Sequence, residues 1–462
     1  MCAIVGAVLS PEAQQHHNVY QDVLNHIWKA SHARGRDGAG WVRPIDAYRA
    51  DHMLSVVRND DTMSPPRLPD AFDSPVVLLG NLRAEPTTEF VEEKSWTDQQ
   101  PYYTGSWFIV HNGTIANDKE LRTHRIRTSI DSAAIAEVLA QDGAFDLMSF
   151  ARSVRKLKGS YAILAANSNH PSVMYAAANY RPLWYVQTEH GVFFASSRDF
   201  FPIEFAQEGR APQMLRPYTA ALFGPQGLIR SHTLYPYQTR SERALVVCSG
   251  GLDSVVSATY AQRELGMSIH LVHFLYGSRA EGPEVEAIKK VAQELGCLLT
   301  LKVLPVYDKS DSKLLDPDSK VAGGEEGAEF AYEWVPARNL LLLSVATAMA
   351  EAAGIDTIVL GNNLEEAGAY PDNEPEFIAR FNDLLPFAVG DGKRMRVIMP
   401  VGNMMKHEIV ALGHELGAPM HLTWSCYRAG TLHCGKCGPC YMRRKAFEIN
   451  KLPEVITYED DQ

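Results

Sequence analysis

The sequence predicts an α/β protein of two dissimilar domains: a two-sheet sandwich with helices, then a doubly wound parallel sheet. Three observations carry this reading. The first half is dense in short β-like runs with few helical stretches between them, which suits stacked sheets. From Arg243 onward strands and helices alternate, and such alternation builds a parallel sheet wound on both faces. Between the two, Pro202–Arg243 is rich in Pro, Gly and polar residues, so the boundary falls there, with domains at 2–235 and 243–462.

The expected strands of the first half are Ala3–Val8, Val76–Leu79, Trp107–His111, Ala162–Ala166, Val173–Ala176, Leu183–Gln187 and Val192–Ala195, with helices near His16–Ala30 and Ser132–Ala140. In the second half a strand at Ala244–Cys248 leads through a Gly turn into a helix near Leu252–Leu265 and a strand at Ser268–Phe274. A helix near Pro283–Leu295, a strand at Leu298–Val303, a long helix from Arg338 and a strand at Thr357–Leu360 follow. Asp308–Glu329 is polar and Gly-rich and is expected to form a mobile loop.

Composition excludes several classes. A net charge of −11 over 462 residues argues against a broad nucleic-acid footprint and leaves room for a local basic patch at Arg443-Arg444-Lys445. The opening run Ala3–Leu9 is too short and lacks the basic flank of a signal peptide, and Leu340–Ala353 is broken by Ser344, Thr347 and Glu351. A cytoplasmic, soluble protein without membrane contact is expected. Seven cysteines in a chain this long do not make a disulfide scaffold.

Cys2 stands directly behind Met1. Once Met1 is removed, the freed α-amine, with a pKa near about 8, can act as base for the thiol of its own residue. Gly80-Asn81-Leu82-Arg83-Ala84 ends a strand with an arginine suited to gripping a carboxylate. His111-Asn112-Gly113 places an amide side chain beside a flexible backbone N–H, the donors needed when a thiolate attacks a carboxamide. Asp131-Ser132 opens a helix, where Asp131 either caps it or holds an ammonium group. On the residues alone, Arg83 serves a surface ion pair and Asn112-Gly113 a plain turn equally well.

Ser249-Gly250-Gly251-Leu252-Asp253-Ser254 follows an apolar strand and opens a helix, a setting in which backbone amides face an anion. No Gly-Lys-Ser/Thr follows, so it is not a Walker A loop. Cys426, Cys434, Cys437 and Cys440 form a Cys-x7-Cys-x2-Cys-x2-Cys cluster. Four thiolates at that spacing fit a closed, structural zinc site, with an iron–sulfur cluster or free buried thiols as alternatives. Cys248 and Cys297 lie in or beside apolar strands and read as core.

The first-half motifs, in this order, resemble the class II glutamine amidotransferases, N-terminal-nucleophile (Ntn) hydrolases with an αββα sandwich. Supporting segments are Cys2-Ala-Ile-Val-Gly6, Arg34–Gly40, Leu157–Ala162, Arg181-Pro-Leu183 and Ala195–Arg198. The resemblance implies Cys2 as nucleophile, Asn112 and Gly113 as oxyanion hole, and Arg83 and Asp131 as holders of the glutamine α-carboxylate and α-amine. Arg36 stands where asparagine-synthetase-like members carry proline. The Ser249–Ser254 segment resembles the PP-loop of ATP pyrophosphatases, which implies that Ser249, Gly250, Gly251, Asp253 and Ser254 bind ATP, with Asp253 helping to hold magnesium pyrophosphate.

The second half as a whole resembles the 7-cyano-7-deazaguanine synthase (QueC) family. Shared pieces are Tyr276-Gly277 with Arg279, Val335–Asn339, Tyr370-Pro-Asp372 before Glu376-Phe377, and Thr423–Tyr427 leading into the cysteine cluster. The resemblance implies a 7-deazaguanine bound by Arg338, Asn339, Tyr370 and Asp372, a structural zinc, and ATP with magnesium. That family converts 7-carboxy-7-deazaguanine to the nitrile through an amide. Two departures stand out: Asp372-Asn373-Glu374 replaces Asp-Cys-Arg, and Ser278 replaces a glutamine.

Fusions of this kind resemble the archaeosine-forming enzymes. The leading expectation is a glutamine-dependent enzyme that delivers ammonia to the nitrile of 7-cyano-7-deazaguanine and gives the formamidine. An acquired Glu374 facing the pocket would repel a carboxylate substrate, which favours that reading. The competing expectation is an ATP-dependent nitrile synthase with a built-in glutaminase, favoured by the intact PP-loop. A catalytically silent or macromolecule-modifying protein is a third reading, and neither Cys2 nor the PP-loop is broken. The acceptor, as free base or within DNA or tRNA, and a homodimer stay open at this point.

Overall fold

A computed structural model describes residues 2–35, 38–44, 54–57, 64–84, 96–123, 128–206, 210–234, 242–324, 333–367, 370–390 and 395–459. The chain divides into two units, Met1–Pro236 and Tyr237–Gln462. Arg36 lies outside the described residues.

The first unit stacks two antiparallel sheets. Described strands of the first are β1 (Ala3–Leu9), β2 (Gly38–Val42), β3 (Leu54–Val57), β4 (Val76–Arg83), β9 (Trp184–Thr188), β10 (Gly191–Ala195) and β11 (Gln213–Met214), in the order β11-β9-β10-β1-β4-β2-β3. The second runs β13-β12-β8-β7-β6-β5, from β5 (Tyr102–Thr104), β6 (Trp107–Ile115), β7 (Gly159–Asn167), β8 (Met174–Ala178), β12 (Thr219–Gly224) and β13 (Gly227–Thr233). Ile4, Val8, Val77 and Leu79 of one sheet meet Phe108, Val110 and Leu164 of the other in a shared core. The outer face of the first sheet packs on the His17–Ser31 helix through Leu24, Ile27 and Trp28. That of the second packs on helices Ala133–Gln141 and Leu147–Val154 through Ile135, Leu139 and Phe150. The layers are αββα, as expected.

The second unit holds one parallel sheet, β16-β15-β14-β17-β18, built from β14 (Arg243–Val247), β15 (Ser268–Leu275), β16 (Leu298–Val303), β17 (Thr357–Val359) and β18 (Arg396–Ile398). Helices Leu252–Arg263 and Glu281–Glu294 bury Val255, Ala258 and Ile288 against one face. Helices Arg338–Ala352 and Pro375–Ala388 bury Leu343, Ala346 and Phe381 against the other. Strand order therefore reverses between β14 and β17, and the crevice beyond their carboxyl ends is where such sheets bind ligands. Among the described residues no helix is long and apolar enough to cross a membrane.

Two stretches hold more structure than their composition suggests. Before the expected boundary, Pro202–Arg243 contains β12 and β13, which form a hairpin within the second sheet. Its turn glycines masked a strand pair whose buried members are Ala220, Ala221 and Phe223. The described part of Asp308–Glu329 is pinned: Leu314 and Leu315 are buried, and Arg279 donates to Ser319 O at 2.7 Å and Pro317 O at 3.0 Å. Residues 325–329 lie outside the described residues.

Candidate functional sites

Strand alternation assembles the first site. Side chains two apart share a face, and Ile4, Val77, Leu79, Phe108 and Val110 point between the sheets. Cys2, Asn81, Arg83 and Asn112 continue those rows, so all four project into the same layer at its end. Ala3 pairs with Leu82, which sets Cys2 beside Arg83 on the neighbouring strand. The Cys2 thiol reaches Ala84 O at 3.6 Å, and the buried Arg83 guanidinium donates to Asp98 O.

Asn112 is 1% exposed, and its Nδ2 has no hydrogen-bond partner among the described residues. A buried amide N–H without an acceptor is costly, and a developing oxyanion would satisfy it. Gly113 has φ +151°, and a Cβ there would lie 2.0 Å from Ser160 O, so glycine is required. Asp131 accepts from Ile115 N at 2.5 Å and from Ser132 Oγ at 3.1 Å, and no side chain caps the helix that follows. The site also contains residues that motif reading passed over. Asn81 Nδ2 donates to Ala3 O at 3.2 Å and His111 O at 3.4 Å, tying the carbonyls next to Cys2 and Asn112 to one amide. Gln100 accepts from His111 N at 2.6 Å and donates to its carbonyl at 3.1 Å. His111 meets Ser132 Oγ at 2.8 Å, and burial holds its imidazole below the ordinary histidine range.

The second site is a cavity beyond β14 and β17. Its wall includes Ser249, Gly251, Asp253 and Ser254 together with Glu284, Arg338, Asn339 and Asn373. Gly250 takes φ +82°, and a Cβ there would come 3.0 Å from Glu284 O, so the loop turns tightly against the Glu281–Glu294 helix. Ser249 Oγ accepts from Gly251 N at 3.1 Å, and Ser254 Oγ donates to Gly251 O at 3.0 Å. Cys248 is buried as expected, but its thiol also donates to Ser254 Oγ at 3.4 Å, at the base of the loop. Asp253 Oδ2 accepts from Lys406 Nζ, and from Asn363 Nδ2 at 3.0 Å, while Oδ1 is buried with no partner among the described residues. An orphaned carboxylate oxygen beside a phosphate-type loop fits a magnesium ion bound with a nucleotide.

Of the four residues assigned to a deazaguanine, Arg338 and Asn339 line the cavity and Tyr370 and Asp372 do not. Asp372 Oδ2 accepts from Asn339 N at 2.8 Å, seating the start of the Arg338–Ala352 helix, and Tyr370 stacks on Trp334 at 5.9 Å. Asn373 faces the cavity, whereas Glu374 is absent from its wall.

Cys426, Cys434, Cys437 and Cys440 are buried, with their sulfurs all within 4.8 Å of one another. Tetrahedral thiolates at about 2.3 Å from a zinc ion stand roughly 3.8 Å apart, and Cys426 and Cys437 lie at 3.9 Å. Backbone N–H groups of Arg428 and Cys437 donate to the Cys426 and Cys434 sulfurs at 3.3 Å each, as thiolates require. The cluster can hold a metal ion. Just before it, Trp424 N donates to Gly250 O at 2.9 Å, fastening this segment to the loop of the second site. Arg443 is no surface patch: it is 1% exposed and donates to Thr423 Oγ1 at 2.6 Å and Met420 O at 2.9 Å.

Comparisons with known proteins agree with this division. Residues 243–451 match the family described as queuosine biosynthesis protein QueC, and residues 88–202 match a glutamine amidotransferase domain. A protein of Sulfurisphaera tokodaii named 7-cyano-7-deazaguanine synthase 2 is 40% identical over 475 aligned positions, spanning 100% of both chains. A 7-cyano-7-deazaguanine synthase of Saccharolobus solfataricus is 43% identical over 398 positions, 84% of this chain and 85% of its own. One from Methanothrix thermoacetophila is 42% identical over 223 positions, 47% of this chain but 99% of its own.

Proposed function

The chain belongs to the 7-cyano-7-deazaguanine synthase family and carries a glutamine amidotransferase domain, and on that premise we propose a glutamine-fuelled, ATP-dependent nitrile synthase acting on 7-carboxy-7-deazaguanine. The observation that carries this reading is the cavity in which the intact Ser249–Ser254 loop and the orphaned Asp253 oxygen share one wall with Arg338. Addition of ammonia to a nitrile leaves no oxygen to adenylate, so such a loop would be idle in a formamidine-forming enzyme.

Glutamine chemistry falls to the first unit. With Met1 removed, the Cys2 amine takes the thiol proton and the sulfur attacks the side-chain carboxamide. Asn112 Nδ2 and the Gly113 N–H stabilise the oxyanion, Arg83 and Asp131 hold the amino-acid end, and ammonia leaves as the thioester forms. Water then releases glutamate. In the second unit the substrate carboxylate attacks the α-phosphorus of ATP, pyrophosphate leaves, and ammonia displaces AMP to give the amide. A second adenylation, on the amide oxygen, followed by loss of AMP gives the nitrile. Asp253 would hold the magnesium that accompanies ATP, which neutralises phosphate charge when bound. The four cysteines would hold a zinc ion with a structural role, keeping Trp424 against Gly250.

The formamidine reading drew on Asp372-Asn373-Glu374. With Glu374 outside the cavity wall and Arg338 within it, the charge argument against a carboxylate substrate loses its footing. The relative that spans only the second unit shares the synthase name, which supports nitrile formation there and nitrogen supply by the first unit. The net charge of −11 favours a free base over a base in DNA or tRNA.

The test is incubation with glutamine and Mg-ATP plus either the carboxy or the cyano acceptor, followed by mass spectrometry. The acid should yield the nitrile with glutamate, AMP and pyrophosphate. Conversion of the cyano compound to a product one ammonia heavier, without AMP, would establish the formamidine former instead.

A further inference from the structure

Ammonia addition needs somewhere for protons to go. When ammonia attacks an acyl-adenylate, its lone pair forms the C–N bond, the C–O bond to AMP breaks with its electron pair, and one proton must leave nitrogen. Converting the amide to the nitrile expels two further N–H protons, one after O-adenylation and one as AMP departs. A side-chain base within reach of that nitrogen is therefore required.

The charged groups on the cavity wall are Asp253, Glu284, Arg338, Lys406 and Arg443. The three cations cannot accept a proton, and Asp253 is paired with Lys406 beside the phosphate-type loop. Glu284 makes no ion pair among the described residues. It accepts one hydrogen bond, from Ser278 Oγ at 3.3 Å, and its carbonyl backs onto Gly250 of the loop.

We propose that Glu284 is the proton acceptor for the nitrogen added in the second unit, a role that rests on the synthase reading above. Its surroundings suit the task. Burial pushes the carboxyl up to about 7, against the hydrogen bond from Ser278 and the positive charge of Arg338 on the facing helix, while Glu281 on its own helix raises it further. Tyr276, at the end of β15, is the remaining titratable neighbour and is itself pushed up by burial. A base poised near the working pH is the most effective kind. The rival acceptor on the wall is His273, whose Nδ1 lies 3.0 Å from Cys248 O and whose Nε2 has no partner among the described residues. Burial holds His273 below the ordinary histidine range, making it the weaker base.

The test compares wild type, Glu284→Gln, Glu284→Asp and His273→Gln in the full-length protein. Acid-dependent pyrophosphate release is measured without any nitrogen source. Amide and nitrile formation are measured with ammonium salts adjusted to constant free ammonia across the pH range. Retained pyrophosphate release reports on folding of the second unit, and glutamine hydrolysis on that of the first. Glu284→Gln should release pyrophosphate within about tenfold of wild type yet form amide and nitrile about 10²–10⁴-fold more slowly. Its pH profile should lose the limb that rises to a plateau above about 7, and Glu284→Asp should recover part of the rate. Parallel loss of both half-reactions, an unchanged limb, or selective loss in His273→Gln would overturn the role of Glu284 alone. Wild type that releases no pyrophosphate with the acid would overturn the synthase reading and Glu284 with it.

Discussion

Asn81 donates its side-chain amide to the carbonyl oxygen of Ala3 at 3.2 Å, so the residue following Cys2 is held from the neighbouring strand. The same nitrogen reaches His111 O at 3.4 Å, one residue before Asn112, the proposed oxyanion donor. Asn81→Leu would remove the side-chain donor from Ala3 O, at a cost of about 1–3 kcal/mol, while His111 O keeps Gln100 Nε2 at 3.1 Å. Glutamine hydrolysis should fall at least tenfold with a lowered denaturation midpoint, while ammonium-dependent synthesis persists. Unchanged glutaminase kcat would show that Asn81 has no positioning role.

The two units should fail separately. Cys2→Ala should abolish glutamine-dependent product yet keep activity with high external ammonium. Asp253→Ala should leave glutamate formation within a few-fold of wild type and remove ATP cleavage, because Lys406 loses its carboxylate partner and the carboxylate proposed to hold magnesium goes too. Loss of ammonium-dependent activity in Cys2→Ala would argue against a nitrogen-supply role for the first site.

Acid should weaken the first unit through His111. Its folded imidazole titrates below the ordinary range because it is buried, whereas the unfolded residue titrates near about 6.5. Below that pH the unfolded state binds the extra proton, so stability is full above about 6.5 and declines as pH falls toward the lower folded value. Thermal melts of the first unit from neutral to mildly acidic pH should show this decline, and His111→Gln should flatten it. A slope of equal size in both proteins would assign it to other groups.

Metal analysis should return about one zinc per chain without visible absorbance. Chelation should raise KM for ATP while sparing glutamine hydrolysis, because the cysteine cluster supports the segment whose Trp424 N–H holds Gly250 O at 2.9 Å. Iron with visible absorbance would overturn the zinc assignment. An unchanged KM for ATP after metal removal would uncouple cluster and loop.

What was legible in the sequence was what is contiguous or regularly spaced. Cys2-Ala-Ile-Val-Gly6, Asn112-Gly113, Ser249–Ser254 and the four cysteines each carry their chemistry within a short window. Asn81 and Lys406 are not legible as site residues, because their partners are set by strand register and by two helix N-termini, far apart in sequence, meeting at one point. Glu284 sits among Glu281 and Glu286, which reads as a solvated helix face until the fold closes a cavity over it. Arg443 was misread beside Arg444 and Lys445, although a signal existed: with Cys440 and Phe447 it falls at helical spacing on the buried face of the Gly438–Ile449 helix. The hairpin of β12 and β13 was hidden because glycines at a turn and glycines in a linker look alike without a pairing partner.

The hydrogen bond from Trp424 to Gly250 also bears on the order in which the molecule matures. Domains emerge from the ribosome N-terminal first, so every residue of the glutamine site is available before the cysteine cluster has been translated. The phosphate-type loop can be formed early, but its fastening waits until Trp424, more than 170 residues later, has been translated. Under the proposed function, a nascent protein could spend glutamine before it could use the nitrogen, and any delay in trimming Met1 from Cys2 would limit that loss.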